Sequence, residues 1–130
     1  MDITYLLYID DDPDDYEFFA EAIADLLPGT RVMWLTHCND LPEFLRTNEI
    51  DIIFLDFHLP KLSGKECMSL IRSHEDHYNT PIVFYSTISV QEQNKMPKDN
   101  NVYFISKPYT YEQLKEQLAV FFREHAMLGT

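Results

Sequence analysis

The chain has 130 residues, of which 45% are hydrophobic and 14% aromatic, which suits one globular domain with a buried core. Its formal net charge of −12 argues against nonspecific binding to nucleic acid, which needs lysine and arginine to neutralise phosphates. No apolar run approaches the roughly eighteen residues of a membrane span, and the N-terminus lacks the pattern of an export signal. We therefore expect a cytoplasmic protein without a nucleic-acid or membrane partner.

Short apolar runs alternate with amphipathic stretches along the whole chain. The runs have the length of strands, and the apolar residues of the stretches recur every three or four positions, as in helices. The predicted elements, in chain order, are strand 4–9, helix 13–27, strand 30–36, helix 40–48, strand 50–57, helix 64–75, strand 80–87, helix 89–96, strand 101–107 and helix 110–127.

Local signals mark several helix ends. Asp12 and Asp40 precede the first two helices as candidate N-caps, and Pro13 suits a first helical position. Helix 89–96 is weak and polar, and Pro97 stops it. Strict alternation of strands and helices predicts an α/β fold in which helices cover both faces of a parallel sheet. We expect one domain over residues 1–130, with no output domain.

Acidic residues cluster where the predicted strands end. In a five-stranded sheet of order 2-1-3-4-5, ligands bind at the carboxyl ends of strands 1 and 3, where the strand order reverses. Asp10 and Asp11 follow strand 1 and Asp56 follows strand 3, while Ser86 and Lys107 end strands 4 and 5. Crowded carboxylates suit a hard divalent cation such as Mg²⁺. The set favours phosphoryl transfer onto Asp56 as the nucleophile, with Mg²⁺ and Lys107 neutralising charge.

Four motifs carry a resemblance to a known family. They are "LLYIDDD" at 6–12, "DIIFLDFHLPKLSG" at 51–64, "PIVFYST" at 81–87 and "FISKPYT" at 104–110. In this order and spacing the chain resembles the receiver domain of two-component response regulators, over roughly residues 3–126. The resemblance implies a flavodoxin-like three-layer sandwich of five parallel strands and five helices.

The resemblance also implies a role for each site residue. Asp56 matches the phosphoacceptor, Asp11 the direct ligand of Mg²⁺ (or Mn²⁺), and Asp10 the acid that holds a metal-bound water. Asp56 and the backbone carbonyl of His58 complete the metal ligands. The remaining matches are the hydroxyl residue Ser86, the lysine Lys107 and the aromatic switch residue Phe104.

The implied function is that of a stand-alone response regulator. A histidine kinase or histidine phosphotransfer protein donates the phosphoryl group, and phosphorylation switches a protein–protein interaction surface. Its chemistry is limited to self-catalysed phosphotransfer and autodephosphorylation, so the protein is not an enzyme acting on a separate substrate. We expect a monomer or weak dimer, and the sequence does not identify the downstream target.

Two features depart from the family pattern and leave an alternative open. Thr87 stands where many members have alanine or glycine, and helix 89–96 is unusually polar. Both favour an interaction scaffold that keeps the fold and works without phosphorylation. A phosphatase with an aspartyl intermediate is disfavoured, because "DFH" at 56–58 has histidine where that class has a second aspartate.

Other patterns have competing interpretations. Asp12, Asp14 and Asp15 more often begin a helix than bind a metal. A calcium loop starting at Asp10 lacks the glycine that its turn needs. "HEDH" at 74–77 lacks further zinc ligands and is more often a solvated loop. Cys38 and Cys67 have no metal-type spacing and are expected to be free thiols in a reducing compartment.

Overall fold

Five strands alternate with five helices in the computed structural model, which describes residues 3–87, 89–95 and 101–125. The elements are β1 (Tyr5–Ile9), α1 (Pro13–Leu26), β2 (Arg31–Leu35), α2 (Leu41–Thr47), β3 (Ile52–Leu55), α3 (Gly64–Ser73), β4 (Ile82–Ser86), α4 (Val90–Asn94), β5 (Val102–Ser106) and α5 (Tyr111–Glu124). Each predicted element is present, within about two or three residues at most ends, which is the usual scatter of helix and strand bounds. Pro97, the predicted stop of the fourth helix, lies outside the described residues.

The strands form one parallel sheet in the order β2-β1-β3-β4-β5. This confirms the predicted flavodoxin-like topology. The last residue of β1, Ile9, pairs with Leu35 of β2 and Leu55 of β3, so these three strands end at one edge. Because Asp10 and Asp56 directly follow Ile9 and Leu55, the strand pairing places both acids at that edge.

Apolar side chains cover both faces of the sheet. On one face, α1 and α5 pack through Phe19, Ile23, Leu118 and other residues that are fully or nearly fully buried. On the other face, α2 and α3 pack against a second cluster that includes Leu41 and Ile71. Strands buried on both faces account for the nearly continuous apolar runs in the sequence.

Four helices start with a side-chain cap, including α5, where the Thr110 hydroxyl accepts a hydrogen bond from the backbone N–H of Gln113, and α2 does not. The Asp12 carboxylate accepts hydrogen bonds from the backbone N–H groups of Asp14 and Asp15, as predicted. Ser63 at α3 and Ser89 at α4 each form a reciprocal capping box with a glutamate three residues later. The predicted Asp40 cap at α2 is wrong, because its side chain makes no capping hydrogen bond.

The cysteines contradict the expectation of free thiols. Cys38, in the loop after β2, and Cys67, in α3, are joined by a disulfide with a Cα–Cα distance of 5.9 Å. Both side chains lie within the apolar cluster beneath α2 and α3, and each is at most 1% exposed. Their sequence positions, 29 residues apart, give no sign of this contact, which exists only once α3 packs beside the β2–α2 loop.

The "HEDH" segment also differs from the expected solvated loop. It forms a single turn of 3-10 helix, Glu75–His77, and the imidazole of His74 caps its start by accepting a hydrogen bond from the backbone N–H of Asp76. The imidazole of His77 is buried and its Nδ1 lies 2.8 Å from the hydroxyl of Thr80. Burial lowers the pKa of His77 below its ordinary value.

Among the described residues, no helix has the length and apolar character needed to cross a membrane.

Candidate functional site

Five polar side chains from four strand ends converge at the carboxyl edge of the sheet. Asp10 and Asp11 follow β1, Asp56 follows β3, Ser86 is the last residue of β4 and Lys107 follows β5. Asp10, Asp56 and Ser86 are almost fully buried, whereas Asp11 is exposed. The site therefore has a buried floor and one carboxylate open to solvent.

Asp56 lies at the centre of the hydrogen bonds in this site. Its Oδ1 accepts from the hydroxyl of Ser86 at 2.7 Å and from the backbone N–H of His58 at 3.0 Å. Its Oδ2 accepts from the Lys107 Nζ at the longer distance of 3.2 Å. Oδ2 thus has one long bond where Oδ1 has two shorter ones. Asp56 is 7% exposed, so its carboxylate is nearly buried but still reaches solvent.

Asp10 is fixed more tightly than Asp56. The phenol of Tyr8 donates to Asp10 Oδ2 at 2.7 Å, and the Lys107 ammonium donates to the same oxygen at 2.9 Å. Asp10 Oδ1 accepts from the backbone N–H of Asp12 at 3.1 Å. The backbone carbonyl of Asp10 accepts from the indole N–H of Trp34 at 2.8 Å. These contacts hold both the backbone and the carboxylate of Asp10 in one orientation.

Lys107 is the cation that these carboxylates share. Its ammonium lies 2.9 Å from Asp10 Oδ2, 3.2 Å from Asp56 Oδ2 and 2.8 Å from Asp15 Oδ2. The same ammonium lies 5.6 Å from the centroid of the Tyr85 ring, within the range of a cation–π contact. Lys107 is therefore held between α1, the ends of β1 and β3, and an aromatic side chain of β4.

The surroundings shift the pKa values of two groups that face each other. Burial raises the pKa of the Asp10 carboxyl above its ordinary value, although hydrogen bonds from Lys107 and Tyr8 oppose the shift. Burial by itself would lower the pKa of Lys107, but its hydrogen bonds with Asp15 and Asp10 outweigh burial and raise it. Lys107 is therefore fully protonated at neutral pH and carries the charge that the acids need.

The acids form a donor set suited to a hard divalent cation. Asp10, Asp11 and Asp56 each offer a carboxylate oxygen, and these oxygens lie within 4.8 Å of one another. At that separation two like charges repel by about 3–4 kcal/mol at an effective dielectric constant near 20. One lysine does not balance three acids, so the residues present fit a cation such as Mg²⁺, which prefers carboxylate oxygens.

The remaining predicted site residues are His58, whose backbone N–H donates to Asp56, and Phe104 of β5. The side chain of His58 is exposed, and its Nε2 lies 3.3 Å from Glu92 of α4. Phe104 is half-buried in β5, where it pairs with Phe84 and packs on the α2 and α3 side of the sheet. Its coupling to Ser86 stays a prediction. Thr87 is exposed, directly after Ser86.

The loop after Asp56 passes very close to the start of α3 at Gly64. A Cβ atom at position 64 would lie 2.8 Å from the Phe57 Cα and 3.1 Å from the backbone carbonyl oxygen of Asp56. The backbone N–H of Gly64 donates to the Phe57 carbonyl at 2.9 Å. Glycine is therefore the residue that lets α3 approach the backbone after β3 this closely.

Three residues of the site were missed in the sequence. Tyr8 looked like one more apolar strand residue, yet its hydroxyl contacts Asp10. Trp34 lies within the predicted strand 30–36 with no expected role in the site, yet its indole N–H donates a hydrogen bond to the Asp10 carbonyl. Asp15 was assigned to the start of α1, which is correct, but its carboxylate also reaches Lys107. Two sequence signals were available: the hydroxyl of Tyr8 lies two residues before Asp10, on the same side of a strand, and the carboxylate of Asp15 lies four residues, or one helical turn, after Asp11.

Comparisons with known proteins find sequence similarity along most of this chain. The sequence profile of the response regulator receiver domain matches residues 6–119. A hybrid signal transduction histidine kinase K from Dictyostelium discoideum is 32% identical over 89 residues, which cover 62% of this chain and 7% of that protein. A probable cyclic di-GMP phosphodiesterase from Vibrio cholerae is 25% identical over 114 residues. The chain spans a quarter or less of the length of these two proteins.

Solved structures share the fold at low sequence identity. The phosphorylated cyanobacterial phytochrome response regulator RcpA superimposes with a TM-score of 0.81 and 22% identity, covering 98% of this chain and 97% of its own. The receiver domain of sensor histidine kinase PA1611 from Pseudomonas aeruginosa, which has a magnesium ion in its active site cleft, gives a TM-score of 0.75 and 20% identity over 93% of this chain and 98% of its own.

Proposed function

Because this chain belongs to the response regulator receiver domain family, we propose that it accepts a phosphoryl group on Asp56 from a phosphohistidine. The donor is a histidine kinase or a histidine phosphotransfer protein. The observation that carries the proposal is the surroundings of Asp56. Its carboxylate lies within a cluster of acids, with the Ser86 hydroxyl at 2.7 Å and the Lys107 ammonium at 3.2 Å.

The proposed step moves one phosphoryl group between two proteins. A carboxylate oxygen of Asp56 attacks the phosphorus, an O–P bond forms, and the N–P bond of the donor breaks with its electron pair returning to the imidazole. Lys107 and Ser86 are close enough to donate hydrogen bonds to oxygens of the transferred group, which stabilises charge as it develops. Attack by water later regenerates the carboxylate and releases inorganic phosphate.

We propose that Mg²⁺ or Mn²⁺ takes part in this step. Asp11, Asp56 and the backbone carbonyl of His58 would hold the cation, and Asp10 would hold a water bound to it. The cation supplies positive charge that offsets both the crowded acids and the transferred phosphoryl group. The carboxylate cluster supports this assignment. The magnesium ion in the PA1611 receiver domain is a parallel in the same fold.

Saturating Mg²⁺ should stabilise the folded protein. Because the three carboxylates meet only in the folded state, Mg²⁺ at a hundred times its Kd adds about 2.7 kcal/mol to the free energy of unfolding. Urea denaturation with and without MgCl₂ measures the gain. Asp11→Asn should remove most of it, whereas Asp14→Asn, an exposed acid three residues away, should retain it. An equal gain in both variants would place the cation elsewhere.

Intact-protein mass spectrometry with acetyl phosphate tests the phosphoryl-acceptor proposal directly. The wild type, incubated with and without Mg²⁺, should gain one phosphoryl group only when Mg²⁺ is present. Asp56→Asn should gain none, because an amide oxygen is a far weaker nucleophile than a carboxylate. Urea denaturation checks that the variant is folded. Equal phosphorylation of the wild type and Asp56→Asn would contradict the assignment of the acceptor.

We also propose how phosphorylation changes the surface that other proteins bind. On phosphorylation, Ser86 turns from the Asp56 carboxylate to the new phosphoryl group and Phe104 moves with it, which biases a two-state equilibrium at the surface of β5 and α5. We propose that the protein acts as a single receiver domain in the cytoplasm, as a monomer or weak dimer. Its output is then a protein–protein contact or phosphotransfer onward.

An interaction scaffold that works without phosphorylation is the second candidate. The observation that favours it is the short α4, which has only five residues. The family resemblance implies that this helix forms part of the signalling surface. Pull-down experiments with wild type, Asp56→Asn and Lys107→Ala separate the two candidates. Partner binding that does not change with these substitutions or with acetyl phosphate would support the scaffold, and a change would support the switch.

A further inference from the structure

The Lys107 ammonium has a third carboxylate partner that the phosphoryl-transfer chemistry leaves without a role. Asp10 and Asp56 belong to the acid cluster at the strand ends, but Asp15 comes from the first turn of α1. Its Oδ2 lies 2.8 Å from Nζ, compared with 2.9 Å for Asp10 and 3.2 Å for Asp56. Of the hydrogen bonds that raise the pKa of Lys107, the one with Asp15 has the largest effect.

We propose that Asp15 is a positioning residue that holds the Lys107 ammonium toward α1 and competes with the phosphoryl group for it. This inference rests on the proposed function of Asp56 as acceptor. Asp15 then sets how readily the acceptor is phosphorylated, without touching the phosphoryl group itself.

The competition follows from the number of donors on Lys107. An ammonium has three N–H groups, and here each has a carboxylate acceptor within 3.2 Å. A phosphoryl oxygen on Asp56 gains a hydrogen bond from Lys107 only by displacing one of these acceptors. The side chain of Asp15 is 33% exposed, compared with 1% for Asp10 and 9% for Asp56. Asp15 is therefore the acceptor that water can replace most easily.

The charge of Asp15 acts on a cation and on a phosphoryl group in opposite directions. A negative charge next to Lys107 reduces the positive charge that a divalent cation meets, so Asp15 strengthens binding of Mg²⁺. The same charge repels the dianionic phosphoryl group and keeps Lys107 from it. Removing the charge should therefore weaken Mg²⁺ binding while it speeds phosphorylation at saturating Mg²⁺. If Asp15 had only a structural role, its replacement would lower both the affinity for Mg²⁺ and the phosphorylation rate.

The test compares Asp15→Asn with the wild type in two measurements. Mg²⁺ affinity is followed by the fluorescence of Trp34, the only tryptophan, whose indole N–H binds the Asp10 carbonyl. The phosphorylation rate with acetyl phosphate is measured at a Mg²⁺ concentration that saturates each variant. We expect the Kd for Mg²⁺ to rise and the phosphorylation rate to rise, each by roughly threefold, as for a partly exposed ion pair.

Two further variants separate the ion pair from general charge. Asp14→Asn removes the same charge one residue away, from an exposed side chain in the same helical turn, and should change both values by much less. Asp15→Glu keeps the charge and should restore values close to the wild type. A phosphorylation rate that falls in Asp15→Asn, or that equals the rate of Asp14→Asn, would overturn the inference about Asp15. Phosphorylation of the wild type in the same experiment would still support the proposed function of Asp56. A wild type without any phosphoryl adduct would overturn both.

Discussion

Replacing Lys107 with methionine should lower the rate of Asp56 phosphorylation by roughly a hundredfold or more, the usual cost of removing one preorganised charge donor from a transition state. Methionine keeps most of the length and apolar stem of lysine but removes the positive charge. The acids would then face the incoming phosphoryl group without the ammonium that now lies 2.9 Å from Asp10 and 3.2 Å from Asp56. The initial rate of adduct formation with acetyl phosphate and saturating Mg²⁺ measures the loss.

Lys115→Met is the matched control for this prediction. Lys115 lies in α5 and pairs with Asp25 at 3.4 Å, and both side chains are nearly half exposed. Its removal changes the net charge by the same amount and should leave the rate within about twofold of the wild type. Urea denaturation of both variants confirms that the compared proteins are folded. A rate for Lys107→Met close to that of the control would remove Lys107 from the proposed chemistry.

Reducing the Cys38–Cys67 disulfide should cost about 3–4 kcal/mol in the free energy of unfolding, the loop-entropy value expected for a closed loop of this length. The bond joins the β2–α2 loop to α3. In the unfolded state it closes a loop that contains the residues of α2, β3 and the start of α3, and this lowers the conformational entropy of the unfolded chain. Urea denaturation of the oxidised protein, with and without a reductant such as dithiothreitol, measures the difference on an unchanged sequence.

The double variant Cys38→Ala/Cys67→Ala provides the control for the reductant. It should unfold at the same urea concentration with and without dithiothreitol, close to the midpoint of the reduced wild type. A cytoplasm keeps most thiols reduced, so the proposed location predicts that the protein must fold without this bond. Equal stability of the oxidised and reduced wild type would show that the packing of α3, not the bond, fixes the loop.

The sequence was sufficient for those elements whose signals are local. The apolar run before Asp10 and the helical spacing of Phe19 and Ile23 predicted β1 and α1, and Asp12 caps the helix as expected. Asp40 looked equally suitable as a cap and does not act as one. A capping residue usually has an extended backbone, whereas Asp40 has a φ of −99° and a ψ of 14°, and a residue pattern does not contain that information.

The acid cluster was predictable because topology carries the information. Strict alternation of strands and helices predicts a parallel sheet, and a parallel sheet brings Asp10, Asp11 and Asp56 to one edge whatever the lengths of the loops between them. The metal and phosphoryl-acceptor roles of these residues came from the family resemblance. The geometry adds the hydrogen bonds that each carboxylate makes.

The contacts that only the tertiary structure decided are those between side chains that no periodicity links. The sequence by itself determined the strands and the helices and, together with the common order of a five-stranded parallel sheet, the edge at which the acids meet. Packing alone decided that Asp15 reaches Lys107 and that Cys38 meets Cys67. Strand and helix patterns arise from backbone repeats and burial, which act along the chain. These pairs depend on how α1, α3 and the loops lie against the sheet, and that arrangement is fixed by the whole core at once.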